Sequence, residues 1–186
     1  MDWKAKAALA ALIGFGIQQA AAMAWQAWER RSKYRQAQEY AERVGKPMLV
    51  VGGPWGDNPF RSFLRIPAHG CGDFCLDIDP RACQGCNYVQ ADVRDIPFPS
   101  GFFGSALASH VLEHLPTLAD AEKAISELKR VADLVLVASP TRHSVIAWGV
   151  PSHHLWVRQG SDGSIALEQR DSRQAGQRLL ESLPGR

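Results

Sequence analysis

Apolar residues along this chain fall into one long run followed by a series of short ones. Residues 7–28 carry no charged side chain, and as a helix they are long enough to cross a hydrocarbon core of about 30 Å. From Glu29 to Val44 the composition turns charged and helix-favouring, and Gly45-Lys46-Pro47 supplies a stop. Short apolar runs then recur at residues 48–51, 73–80, 88–90, 103–109 and 134–138, each bounded by polar or turn-forming residues, and each predicts a buried strand. Residues 117–132 predict a helix, with Thr117 as N-cap and Ala121, Ile125, Leu128 and Val131 on one face. Residues 144–148 predict a short helical or loop element. Residues 154–158 and 164–170 bracket Ser161-Asp162-Gly163 and predict a β-hairpin. Single strands alternating with helical segments indicate an α/β domain.

The 186 residues suffice for one domain with a sizeable core, and a formal net charge of +2 points to no polyanionic partner, so no nucleic acid is expected. The basic residues are uneven. Arg30, Arg31, Lys33 and Arg35 crowd behind the long apolar run, only Lys4 and Lys6 precede it, and Trp3, Trp25 and Trp28 sit near its ends. That pattern predicts a membrane anchor with the following domain on the cytoplasmic side. Gln18, Gln19 and Gln26 are costly facing lipid and are expected to face protein. Two other readings stay open: a signal peptide cleaved near Ala20-Ala21-Ala22, which the dense positive charge after it disfavours, and a soluble helix continuing to Arg43. The predicted organisation is an anchor with basic flank over 1–35, a helical connector over 36–46, a domain over 47–170 and a tail over 171–186. Tyr34, Tyr40 and Val44 are candidates to dock the connector on the domain.

Two patterns invite a metal reading. Cys83-x-x-Cys86 has ligand spacing, but the link back to Cys71 and Cys75 is shorter than zinc ribbons use, and Cys75 belongs to a strand. A cytoplasmic domain would keep all four thiols reduced. His110-Val111-Leu112-Glu113-His114 fits H-x-x-E-H, in which two helical histidines hold a metal and the glutamate acts as base. His110, however, ends an apolar strand and Pro116 closes the turn, so no metal is expected, and Glu113 and His114 are read as beginning the next helix.

Residues 48–51 run into Gly52-Gly53-Pro54-Trp55-Gly56, a strand ending in a glycine-rich turn, which brings backbone N–H groups close to a nucleotide-like ligand or simply turns the chain. Asp77 ends the next strand, where a carboxylate can accept from two ribose hydroxyls. Asp92, Ile96-Pro97-Phe98, Phe103 and Val111-Leu112-Glu113-His114 complete a pattern that resembles the class I S-adenosylmethionine-dependent methyltransferases of the type 11 kind. The resemblance covers residues 47–170 and is densest in the middle. It implies a Rossmann-like seven-stranded sheet in the order 3-2-1-4-5-7-6, strand 7 antiparallel. It also implies S-adenosylmethionine held by the backbone of Gly52, Gly53 and Gly56, by Asp77 with Ile78 beside it at the ribose, by Asp92 and Val93 at the adenine, and by Ser109 and His110 at the mouth.

The chain departs from that pattern in four places. Val50 stands where the family has an acid, Pro54 where it has the middle glycine, Trp55 where it has a small residue, and Gly104 where it has Asp after the Phe. The implied function is methyl transfer to a small-molecule acceptor that the sequence does not name, and no catalytic residue is assigned. The alternative is a catalytically inactive methyltransferase-fold subunit docking on a membrane protein complex.

Overall fold

A computed structural model describes residues 2–55 and 67–170. Gly56 and the tail predicted from Asp171 onward lie outside the described residues. The long apolar run and the charged segment after it form one continuous helix, α1 (Trp3–Val44), N-capped by the Asp2 carboxylate and ended by Gly45 in the left-handed conformation. Then come β1 (Met48–Val51), β2 (Phe74–Asp77), β3 (Tyr88–Gln90), β4 (Phe103–Ser109), a 3₁₀ turn (Leu112–His114), α2 (Leu118–Val131), β5 (Ala132–Ala138), α3 (Val145–Gly149), β6 (Leu155–Gln159) and β7 (Ile165–Gln169). Thr117 caps α2 as its sequence predicts, its hydroxyl accepting from Asp120 N at 3.1 Å. Glu113 and His114 lie in the 3₁₀ turn before that helix and do not begin it, because the chain runs extended at Leu115 before the cap.

Five strands pair in parallel in the order β3-β2-β1-β4-β5, as expected, while β6 and β7 pair antiparallel as a separate two-stranded sheet. The edge of β5 explains the separation. Gln159 donates its side-chain amide to Val135 O at 2.9 Å and accepts from Val137 N at 3.0 Å, so a side chain takes the bonds a sixth strand would make.

Helices cover both faces of the sheet. One layer joins Leu49, Val51, Ala106 and Ala108 to Ala121, Leu128 and Val131 of α2. The other joins Met48, Val50, Leu107 and Leu136 to Ala37 and Ala41 of α1. Ala37 and Ala41 are small, so the helix backbone approaches the strands closely, and Ser105 Oγ donates to Ala37 O at 2.7 Å. A Cβ on Gly104 would lie 3.0 Å from Ala41 Cα and 2.7 Å from Val44 Cγ2. The departure from the family's Asp at this position therefore has a packing cause. Val44 and Tyr34 do dock the helix: a Cβ on Gly70 would fall 2.1 Å from the Tyr34 hydroxyl, and the Tyr34 ring stacks on His69.

The N-terminal part of α1 is long and apolar enough to span a membrane by length and composition. Leu12, Ile13 and Ile17 are exposed. Gln19 reaches the domain, donating to His143 O at 3.2 Å and accepting from Val145 N at 2.9 Å. Gln26 is half-buried, whereas Gln18 is exposed and does not face protein as expected.

The four cysteines are paired, Cys71 with Cys86 and Cys75 with Cys83, which corrects the expectation of reduced thiols. Cys75 enters the core from β2, and the turn after β2 folds back far enough to bring Cys83 to it.

The Pro-Phe loop between β3 and β4 is pinned by α2. Arg130 donates to Phe98 O at 2.7 Å and Ile96 O at 2.9 Å, and Glu127 accepts from Ile96 N at 3.0 Å. Hydrogen bonding to Arg130, and then to the Ile96 N–H, holds the Glu127 carboxyl down at about 2, against an ordinary value of 4.5. A depressed folded pKa stabilises the fold above the ordinary value, and that stabilisation is lost as pH falls from about 4.5 towards 2. Glu127→Gln is therefore expected to flatten the dependence of unfolding temperature on pH in that window. Parallel thermal melts of variant and wild type between pH 5 and 2.5 test this, and equal slopes would count against it.

Candidate functional site

The carboxyl ends of β1, β2 and β4 converge where the strand order reverses, which is where open α/β sheets place ligands. Gly52 leaves β1 with φ +84°, and its N–H donates to Leu76 O at 3.1 Å, so the glycine turn and Asp77 lie side by side. No side chain fits at Gly52, where a Cβ would be 2.4 Å from Ser109 O and 2.2 Å from Val111 Cγ2. His110 follows β4 with φ 56°, the one non-glycine residue with positive φ among the described residues. Its N–H is held by Ala138 O at 2.8 Å. That left-handed turn swings the ring away from the strand line, to 3.4 Å between Nδ1 and Glu113 Oε1.

Gly52, Asp77 and His110 line one cavity of about 520 Å³, within the range that holds a small molecule or cofactor. Trp55, Asp79 and Ala82 form its β2 side, and His114, Ser144, Ala147 and His153 the opposite side. Met23, Gln26 and Arg30 of α1 line its remaining side. The helix read as an anchor thus supplies part of the cavity wall. Asp77 Oδ1 accepts from Asp79 N at 2.9 Å, and the Asp79 carboxyl is held below its ordinary range by the Arg81 guanidinium and N–H. Burial, with Arg30 and three other histidines nearby, pushes the His110 imidazole well below its ordinary value, so it is neutral at pH 7.

The other residues singled out in the sequence stand elsewhere. Gly53 is buried, and a Cβ there would be 1.7 Å from Ala82 O, so its missing side chain makes room for the disulfide-tied turn after β2. Ile78 is exposed and Ser109 is buried within the sheet. Val93 belongs to the core layer under α2. Asp92 is gripped by Arg94, whose guanidinium also reaches Asp120 at 2.7 Å, and this pairing holds the Asp92 carboxyl low. Neither Asp92 nor Val93 lines the cavity. Val50, where an acid would be expected, is fully buried in the layer beneath α1.

Glu113, His114 and His153 were not assigned to the site from sequence. The first two carry two sequence signals, the H-x-x-E-H pattern and the Val-Leu-Glu-His of the family resemblance, whereas His153 lies too far along the chain for any local spacing to include it. The structure brings it across by a hydrogen bond from His154 N to Glu113 O at 2.7 Å, which ties the segment before β6 to the 3₁₀ turn.

Residues 67–133 match the family model of a methyltransferase domain, so the resemblance read from the sequence is borne out over the stretch from before β2 to the start of β5. A curated protein of Encephalitozoon cuniculi (strain GB-M1), named "Putative methyltransferase ECU09_1500", is 38% identical over 73 residues, 38% of this chain and 34% of that protein. The chain therefore spans about a third of the length of this relative. Among solved structures, the N-methyltransferase NodS of Bradyrhizobium japonicum WM9 in complex with S-adenosyl-L-homocysteine is 18% identical, with a TM-score of 0.35, over 54% of this chain and 55% of that one. A second NodS structure reaches 0.42 at 16% identity, covering 73% and 92%. The amino pentose methyltransferase CalS10 of Micromonospora echinaspora, with SAM bound, gives 0.39 at 14% identity, covering 88% and 87%. At such scores these superpositions add nothing to what the strand order itself shows.

Proposed function

We propose that this chain is a membrane-anchored S-adenosylmethionine-dependent methyltransferase acting on a small-molecule acceptor. The observation that carries the reading is the meeting of Gly52, Asp77 and His110, from three different strand ends, around one cavity in a chain whose middle matches a methyltransferase domain. Gly52 leaves room for close approach of the ligand to the backbone, and the Asp77 carboxylate can accept from two vicinal hydroxyls. Bound there, the cofactor supplies a methyl group on a sulfonium. The chain's own part is to align the acceptor with it, and Trp55 and the α1 side chains Met23 and Gln26 stand on the cavity wall where the acceptor would lie. Gly53, Gly56, Ile78, Asp92, Val93 and Ser109 enter as residues that the family pattern assigns to the cofactor. The proposed anchor is the apolar run 7–28, whose C-terminal part from Gln19 onward also contacts the domain.

A second reading, a non-catalytic subunit docking on a membrane protein complex, is favoured by three observations. Val50 offers no acid to a methionine ammonium group, the turn after β2 presses on Gly53, and paired cysteines fit an oxidising compartment better than the cytoplasm.

Calorimetry with S-adenosylhomocysteine on the full chain in detergent separates the two. The full chain is needed because α1 covers one face of the sheet. Micromolar binding is expected, weakened about 30-fold or more by Asp77→Ala, since leaving two hydroxyls unpaired costs on the order of 2 kcal/mol. Absence of heat at millimolar ligand would leave the docking reading as the better one.

A further inference from the structure

Beside the cavity's glycine and aspartate wall stands a group that methyl transfer does not use. Glu113, His114 and His153 each offer one ligand atom, and these atoms lie within 4.8 Å of one another. Glu113 is 1% exposed and His153 9%. The His114 and His153 rings stand 4.8 Å apart at 73°, so that they meet edge to face and do not stack in parallel. His110 closes the group from the strand side, its Nδ1 3.4 Å from Glu113 Oε1.

Outer contacts orient these side chains as metal-binding residues are oriented. His153 Nδ1 is 3.1 Å from Ala147 O. A carbonyl only accepts, so Nδ1 carries the hydrogen and Nε2 keeps its lone pair. His114 Nδ1 is 3.1 Å from the Ser152 hydroxyl, and Glu113 Oε2 accepts from the Ser139 hydroxyl at 3.2 Å. The backbone bond from His154 to Glu113 holds the two contributing segments together.

We propose that Glu113, His114 and His153 form a binding site for a first-row divalent transition-metal ion, with zinc as the reference ion, on the wall of the cavity. Two imidazoles and one carboxylate suit such an ion better than magnesium or calcium, which take oxygen ligands. Three protein ligands leave a coordination position for water or another small ligand. A dication also offsets the cost of holding the Glu113 carboxylate in the interior. The site differs from the H-x-x-E-H arrangement of helical metal proteases, because residues 112–114 form a 3₁₀ turn and the further ligand comes from the segment before β6.

The test uses the full chain in detergent, stripped of metal by a chelator and titrated with cobalt. One equivalent is expected to bind with visible ligand-field bands of low-symmetry cobalt, without thiolate charge-transfer absorption, and to be displaced by zinc. His153→Gln and His114→Gln should each weaken binding about 100-fold or more, Ser152→Ala about tenfold, and the exposed His143→Gln not at all. The wild-type titration needs no variant to fold. Lack of ligand-field bands at stoichiometric cobalt, a thiolate band, or unchanged affinity in His153→Gln would each overturn the site. Binding of S-adenosylhomocysteine is measured separately, so either reading can fail alone.

Discussion

Gly104→Asp, which restores the family's residue, is expected to lower the thermal unfolding midpoint by about 10 °C. A Cβ at this position meets Ala41 Cα, which is helix backbone and cannot rotate away, as well as the Val44 side chain. The carboxylate beyond it would be driven between α1 and β4, into an apolar layer that includes Ala37, Ala41, Met48 and Leu107. Lys46, whose Cβ is 3.2 Å from the added Cβ, already pairs its ammonium with Asp133 at 2.7 Å. Overpacking together with burial of a charge costs about 4 kcal/mol, and in a domain of this size each kcal/mol moves the midpoint by about 2–4 °C. Gly104→Ala should cost about half as much, since it adds the clash without the charge. Melting curves of the two variants against wild type decide the matter. An unchanged midpoint in Gly104→Asp would mean that α1 does not rest on β4 as described.

Reduction of the two disulfides is expected to have an effect of similar size. The outer bridge, Cys71–Cys86, closes a loop of 15 residues, and in the chain-entropy account a loop of that length contributes about 3 kcal/mol. The inner bridge, Cys75–Cys83, is nested inside it with a separation of 8, so it adds less than it would alone. Melts with and without reductant should differ by about 10 °C, and replacing Cys71 and Cys86 by Ser should reproduce most of that difference. Thiol titration of native protein gives the independent check. Four reactive thiols after mild unfolding without reductant would sink the pairing and support a cytoplasmic domain, whereas none would place the domain in an oxidising compartment.

The strands were legible because parallel strands covered on both faces are short, nearly unbroken apolar runs, as Leu49, Val50 and Val51 are. The cap at Thr117 and the stop at Gly45 were legible because each satisfies backbone groups within its own turn. Asp77 beside Gly52 followed from strand order. The helix continuing to Arg43, one of the readings open from the sequence, is the course α1 takes, because the change of composition at Glu29 alters what the helix touches without interrupting it. The basic flanks of the apolar run imply reduced thiols through the compartment they suggest, whereas pairing depends on which cysteines the turn after β2 brings together.

The sequence by itself determined the element types, the helix ends and the α/β class with its glycine turn and strand-end acid. These depend on interactions within a few residues and on a periodicity that burial imposes along one segment. Tertiary structure alone decided that α1 leaves no room for a side chain at Gly104, that Gln159 takes the edge of β5, and that Ala82 presses on Gly53. It also decided that His153 meets Glu113 and His114, 40 and 39 positions earlier in the chain. Each of these is a contact between segments distant in sequence, fixed by how closely two backbones pack, and no local pattern encodes a distance of that kind.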